Sequence, residues 1–117
     1  MSLGGLMAAI SNLSIDQGAT FSVTIAVTDT TGSARDLTGY TGRAQLRRSY
    51  YTNSNTSFTV AIENPGEGEI TLSLTAANTT LLKAGRYVYD VELVNSNTLT
   101  VERIVEGIIT VYPEVTK

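Results

Sequence analysis

The sequence predicts an all-β fold, two sheets packed as a sandwich around one core, and three observations carry that expectation. Short runs alternate large apolar residues with small or hydroxylated ones, the period-two pattern of strands buried on one face. Clusters of Asp, Asn, Gly and Pro punctuate these runs at nearly regular spacing, where hairpins reverse. Only residues 75–84 change period, and that stretch is too short to form a layer of helix. At 117 residues the chain is long enough to bury a single core without disulfides.

Taken in order, residues 1–9 are expected to be a leader and 10–117 the domain. Met1 to Leu6 read as flexible or added, and Met7-Ala8-Ala9-Ile10 as a natural start. Asn12 to Ile15 forms a first edge strand, closed by the turn residues Asp16-Gln17-Gly18. Phe21 to Thr28 is the cleanest alternation, and it points Phe21, Val23, Ile25 and Val27 at the core. A polar loop over 29–36 leads through Leu37-Thr38-Gly39 to a strand ending at Arg48. There Tyr40, Ala44 and Leu46 share one face and Arg43, Gln45 and Arg47 the other. Residues 49–56, rich in Asn, Ser and Tyr, are a loop by composition.

Phe58 to Ile62 and Ile70 to Leu74 make a hairpin across Glu63-Asn64-Pro65-Gly66-Glu67-Gly68. Thr75 can cap a helical turn, Leu81 or Leu82 can fold onto the core, and Gly85 can end the turn left-handed. Tyr87, Tyr89, Val91 and Leu93 then line one face of the central strand. Asn95-Ser96-Asn97 reverses it into Leu99 to Val105, and the phase break near Glu106-Gly107 before Ile108 to Tyr112 implies a bulge. The sum is about seven antiparallel strands and one short helical turn, an immunoglobulin-like β-sandwich. A small Greek-key or jelly-roll barrel is the alternative, which periodicity alone does not separate.

Composition removes whole classes of chemistry. There is no Cys and no His, hence no disulfide, no thiolate or imidazole ligand and no imidazole base. The net charge of −3 and a pI near 4.8 speak against a nucleic-acid partner, which calls for a basic surface. No apolar run reaches the roughly 18 residues of a membrane span and no secretory signal opens the chain. Glu63, Glu67 and Glu69 supply carboxylates but alternate onto an exposed hairpin face, which is solvation rather than acid–base chemistry. Asp16, Asp29, Asp36 and Asp90 lack the dense spacing of a Ca²⁺ loop and suit turns. The chain is therefore read as a non-enzyme with no cofactor and no metal.

The surface feature that invites a partner is Arg43, Arg47 and Arg48 with Tyr50 and Tyr51. Arg plus Tyr is a composition favoured in protein contacts, and one that also stacks on sugars. Open edges near residues 10–15 or 100–112 are a second way to engage a partner or a second copy. Asn-x-Ser/Thr triplets at Asn12, Asn55 and Asn78 are coincidences of a Thr- and Asn-rich chain without an export signal.

Gly85-Arg86-Tyr87 resembles the tyrosine corner of immunoglobulin-like domains, where the phenol bonds backbone upstream, and Tyr89 stands where such domains can carry a disulfide cysteine. An ordered series extends the likeness. It comprises Leu37-Thr38-Gly39 before the Arg-bearing strand, Gly68-x-Ile70-x-Leu72-x-Leu74, Leu82-x-x-Gly85-x-Tyr87-x-Tyr89-Asp90-Val91, and Val101 onward to Pro113-x-Val115-Thr116. That succession is similar to the immunoglobulin-like domains of tailed-bacteriophage structural proteins, such as the N-terminal domain of baseplate upper proteins. The resemblance implies a virion component, made in the host cytoplasm, in tail, baseplate, neck or capsid surface. Its partners would be other virion proteins or further copies of itself. A carbohydrate- or host-surface-binding module using the Arg/Tyr strand and the 49–57 loop is the alternative function.

Overall fold

The computed structural model describes residues 9–49 and 55–116, and they form two facing sheets. In the wider sheet β1 (Ala9–Ile10) and β2 (Leu13–Asp16) follow one another along β9 (Val101–Tyr112). Next to β9 come β8 (Gly85–Asn95), β4 (Tyr40–Arg47) and β5 (Thr56–Ser57). The narrower sheet has the order β3 (Phe21–Ala26), β7 (Glu69–Leu74), β6 (Thr59–Ala61). Two sheets packed face to face make the all-β sandwich that the sequence predicts. Among the described residues the two sheets are separate ladders, an open sandwich and not a closed barrel.

The core lies between Ile70, Leu72 and Leu74 of β7 and Tyr89, Val91 and Leu93 of β8, all buried at alternate positions as the pleat requires. Leu46, Ile15, Ile109 and Val111 extend it along the wider sheet. Each such side chain stabilises the fold by about 2 kcal/mol through apolar burial. The Phe58 ring joins the two layers, with centroids 5.9 Å from Phe21 and 6.4 Å from Tyr89. Leu37 is fully buried although it sits in a loop, and its amide is fixed to the Pro65 carbonyl at 2.8 Å.

Several details differ from the sequence expectation, each for a local reason. The first strand is split into two short pieces, and both run parallel to β9, so the sandwich is not wholly antiparallel. Ala9 already pairs with Val105, one residue inside the segment expected to be a leader. The strand expected over Phe58 to Ile62 is shorter, Thr59–Ala61 paired with β7, and just before it Thr56–Ser57 pairs with β4 in the other sheet. Buried Phe58 sits at the switch, its amide bonded to the Ala44 carbonyl at 3.0 Å. The bulge in β9 falls at Ile104, between Val105 opposite Val91 and Arg103 opposite Glu92. That extra residue lets Ile104 and Val105 both face inward. Gly107 has another job, since a side chain there would strike the Ser11 backbone where β1 passes into β2. Lying between β8 and the first strands, β9 is also not an open edge.

The helical turn is present as α1 (Ala76–Thr80), with the Thr75 hydroxyl accepting from the Asn78 amide at 3.1 Å as an N-cap. Leu82 folds onto the core at 5% exposure while Leu81 stands out at 81%. Gly85 does not close the helix, which ends at a right-handed Leu81, but opens β8 with φ of 131°. Buried Thr79 ties α1 to the turn before β3, donating to the Ala19 carbonyl and accepting from the Gly18 amide.

Candidate interaction surface

Strand β4 turns Arg43, Gln45 and Arg47 away from the core, and its neighbours add Val88, Asp90 and Glu92 to the same outer face. Register sets Glu92 between Arg43 on one side and Arg103 on the other, and Arg43 Nε reaches the Glu92 carboxylate at 2.7 Å. Arg47 donates to the Gln45 amide oxygen at 3.1 Å. An exposed pair of this kind stabilises the fold by no more than about 1 kcal/mol. Among these charges stand apolar side chains in water, Ile108 and Val101 of β9 and Ile10 of β1, the last 78% exposed. At the tip of the β8–β9 hairpin Leu99 is exposed and held at a φ of 60°, a left-handed conformation costly for leucine. The face can therefore offer both apolar area and fixed charges to another protein.

Asp90 lies in the middle of this face. Its carboxyl is pushed above the usual range, first by burial and then by the neighbouring Glu92 and Glu106, against the pull of Arg103 and Arg47. A carboxyl whose folded-state pKa is raised favours folding below its unfolded value near 4, and that advantage is lost as pH rises through the folded value. Asp90→Asn is accordingly expected to raise the urea midpoint at pH 7 and leave it nearly unchanged at pH 3. A midpoint that moved equally at both pH values would contradict this origin.

Arg48 does not join Arg43 and Arg47. Its guanidinium lies 4.7 Å from the Tyr87 ring centroid and donates to the carbonyls of Ala84 and Arg86 at 3.2 and 3.3 Å. Gly85 makes room for it, because a side chain at that position would run into the Arg48 guanidinium. The Tyr87 hydroxyl donates to the Lys83 carbonyl, four residues upstream, at 2.7 Å. Tyr89 is buried, and its hydroxyl crosses to the Ser11 carbonyl at 2.6 Å, with burial pushing the phenol upward in pKa. Arg48 thus packs over Tyr87 at the start of β8, while Tyr89 ties the same strand to Ser11. Tyr87→Phe should cost about 1 kcal/mol, the net worth of one such bond, in chemical denaturation. An unchanged midpoint would show that the bond contributes nothing. Tyr50 and Tyr51 lie outside the described residues.

Sequence reasoning missed Arg35 and Glu102, 67 positions apart, which form a two-pronged pair at 2.9 and 2.8 Å. Arg35 also stacks 5.3 Å from the Tyr40 ring centroid. Its guanidinium is held more firmly protonated than usual, chiefly by the bond to Glu102. No local pattern announces such a pair. The carboxylates of Asp29 and Asp36 are bound within their own turns by Thr31, Ser33 and Thr38, which lowers their pKa values. Glu63 and Glu69 border a shallow depression of about 350 Å³ with Thr24 and Thr71, while Glu67 is exposed. Among the described residues no three or more His, Cys, Asp or Glu side chains come together as metal ligands would, and no helix is long and apolar enough to cross a membrane.

No protein-family model matches the sequence, and no curated protein matches it. Solved structures do. The N-terminal domain of phage TP901-1 ORF48 superposes with a TM-score of 0.63 at 8% identity, covering 92% of this chain and 91% of that one. Listeria monocytogenes InlP aligns with a TM-score of 0.48 at 17% identity over 87% of this chain and 26% of its own. The chain thus shares, nearly end to end, the fold of an N-terminal domain from a phage protein.

Proposed function

We propose that the chain is a structural module of a tailed-phage particle, in the tail, baseplate, neck or capsid surface, working by protein–protein contact rather than catalysis. The observation that carries this reading is the domain-length match to a phage protein's N-terminal domain. The ordered motifs from Leu37 to Thr116 point to the same family of virion proteins. The outer face of the wider sheet suits the role, because Arg43, Glu92 and Arg103 provide register-fixed charge beside exposed Val101, Ile108 and Ile10. The partner would be another virion protein or a further copy of the chain.

The test is assembly. The purified chain, mixed with the products of its neighbouring genes, should sediment as a defined complex and be found by mass spectrometry in intact particles. Arg43→Glu combined with Arg103→Glu should lower that affinity at least tenfold while leaving the circular dichroism spectrum unchanged. Particles that lack the chain, together with a strict monomer in every mixture, would sink the proposal.

A further inference from the structure

One of the two outer strands of the narrower sheet is β3, and along Phe21–Ala26 its far edge has no main-chain partner among the described residues. Beside that edge opens a groove of about 760 Å³. Val23, Ile25 and Val27 form one wall, and Leu13, Ile104 and Val105 the other. Val23 and Ile25 are consequently only half-buried, whereas Leu72 and Ile70, which face them across the β3–β7 pairing, are fully buried. The cause is topological. In a constant-type immunoglobulin sandwich the first strand pairs with the second, but here β1 and β2 both pair with β9, and no described strand takes the place beside β3.

The edge carries none of the devices that keep open strands apart. Phe21-Ser22-Val23-Thr24-Ile25-Ala26 contains no charge and no proline, where a protected edge carries lysine, proline or a bulge. Charge gathers at one end of the groove only, in the mutually neutralised Arg35–Glu102 pair and in Asp29 at the rim. A single extended segment, with no sheet beneath it, needs no more room than this edge and groove give.

We infer that β3 and this groove accept one extended segment of a partner protein, added antiparallel as an extra strand. Alternate apolar side chains fill the groove, and a Lys or Arg at the segment's N-terminal end meets Asp29. Main-chain bonds to β3 supply affinity and the alternating pockets supply selectivity. A six-residue match to β3 spans about 20 Å. This inference stands on the topology and does not depend on the virion reading, so its failure would leave the outer-face assembly role untouched.

The probe is a synthetic peptide, Lys-Val-Thr-Val-Ser-Ile-Thr, titrated into the full chain and followed by ¹⁵N NMR and amide exchange. Saturable shifts should centre on β3, and the β3 amides that do not bond β7 should exchange at least tenfold more slowly. A scrambled peptide, a Glu-for-Lys peptide and the conservative variant Val23→Thr should each weaken binding, the scrambled peptide by tenfold or more. No saturable shift, or equal binding of the scrambled peptide, overturns the inference. So does protection already present in the free chain, whether released by deleting residues 1–8, which makes the chain's own N-terminus the occupant, or by dilution, which makes it a second copy.

Discussion

Gly68→Ala is expected to lower stability by about 3 kcal/mol, whereas Gly39→Ala should cost only about 1 kcal/mol. Both glycines have positive φ, 68° and 84°, so both lose about 1 kcal/mol when a Cβ is forced into the left-handed region. They differ in what the Cβ meets. At Gly39 nothing lies within 4 Å, while at Gly68 it would stand 2.6 Å from the Val27 carbonyl oxygen and 2.7 Å from that of Arg35. Those atoms are backbone and cannot swing aside, and overpacking of that kind costs about 1–3 kcal/mol more. Gly68 also accepts the Val27 amide at 2.7 Å, and Val27 in turn accepts the Arg35 amide at 2.9 Å. A shift there therefore disturbs the end of β3 and the Arg35–Glu102 pair together. Thermal unfolding should show a drop on the order of 10 °C for Gly68→Ala and a few degrees for Gly39→Ala. Equal losses would mean that φ alone sets the cost and that the close approach carries no weight.

How far the sequence was legible follows from the range of the interactions involved. Period-two patterning is local, so the strands at 21–26, 40–47, 69–74 and 85–95 stand where alternation places them. Capping is local too, and Thr75 caps α1. Features that depend on a distant partner were invisible or misplaced. Phe58 looks like a strand residue in isolation, yet the chain changes sheets there because the two layers need a bridge between Phe21 and Tyr89. Arg48 shares a composition with Arg43 and Arg47, but its position at the strand end puts it over Tyr87. The parallel pairing of β1 and β2 had no signal beyond a short apolar run. From that pairing come the open edge of β3 and the groove, which the alternation of Phe21, Val23 and Ile25 alone would have closed.

Gly107→Val is expected to detach the first strands from β9 and to cost about 3 kcal/mol. The side chain would collide with the Ser11 main chain and crowd the Asn12 side chain, at the point where β1 gives way to β2. Three bonds hold that crossing: Ser11 N–H to the Glu106 carbonyl at 2.9 Å, Ile108 N–H to Asn12 Oδ1 at 3.0 Å, and the Tyr89 hydroxyl to the Ser11 carbonyl at 2.6 Å. Each contributes about 1 kcal/mol net; displacing Ser11 breaks the two bonds it makes, and crowding Asn12 weakens the third. Because Tyr89 is buried in the core, its hydroxyl also loses its acceptor where water does not easily replace it. Tyr89→Phe alone removes one bond and should cost about 1–2 kcal/mol. The double variant should then fall short of the summed losses by roughly 1 kcal/mol, since both changes break the same bond. Amide exchange gives the second reading: Ser11 and the residues of β2 should lose protection in Gly107→Val while β7 and β8 keep theirs. Strict additivity, or unaltered exchange at Ser11, would mean that β1 and β2 are held on β9 by their strand pairing alone and that Gly107 has no part in placing them there.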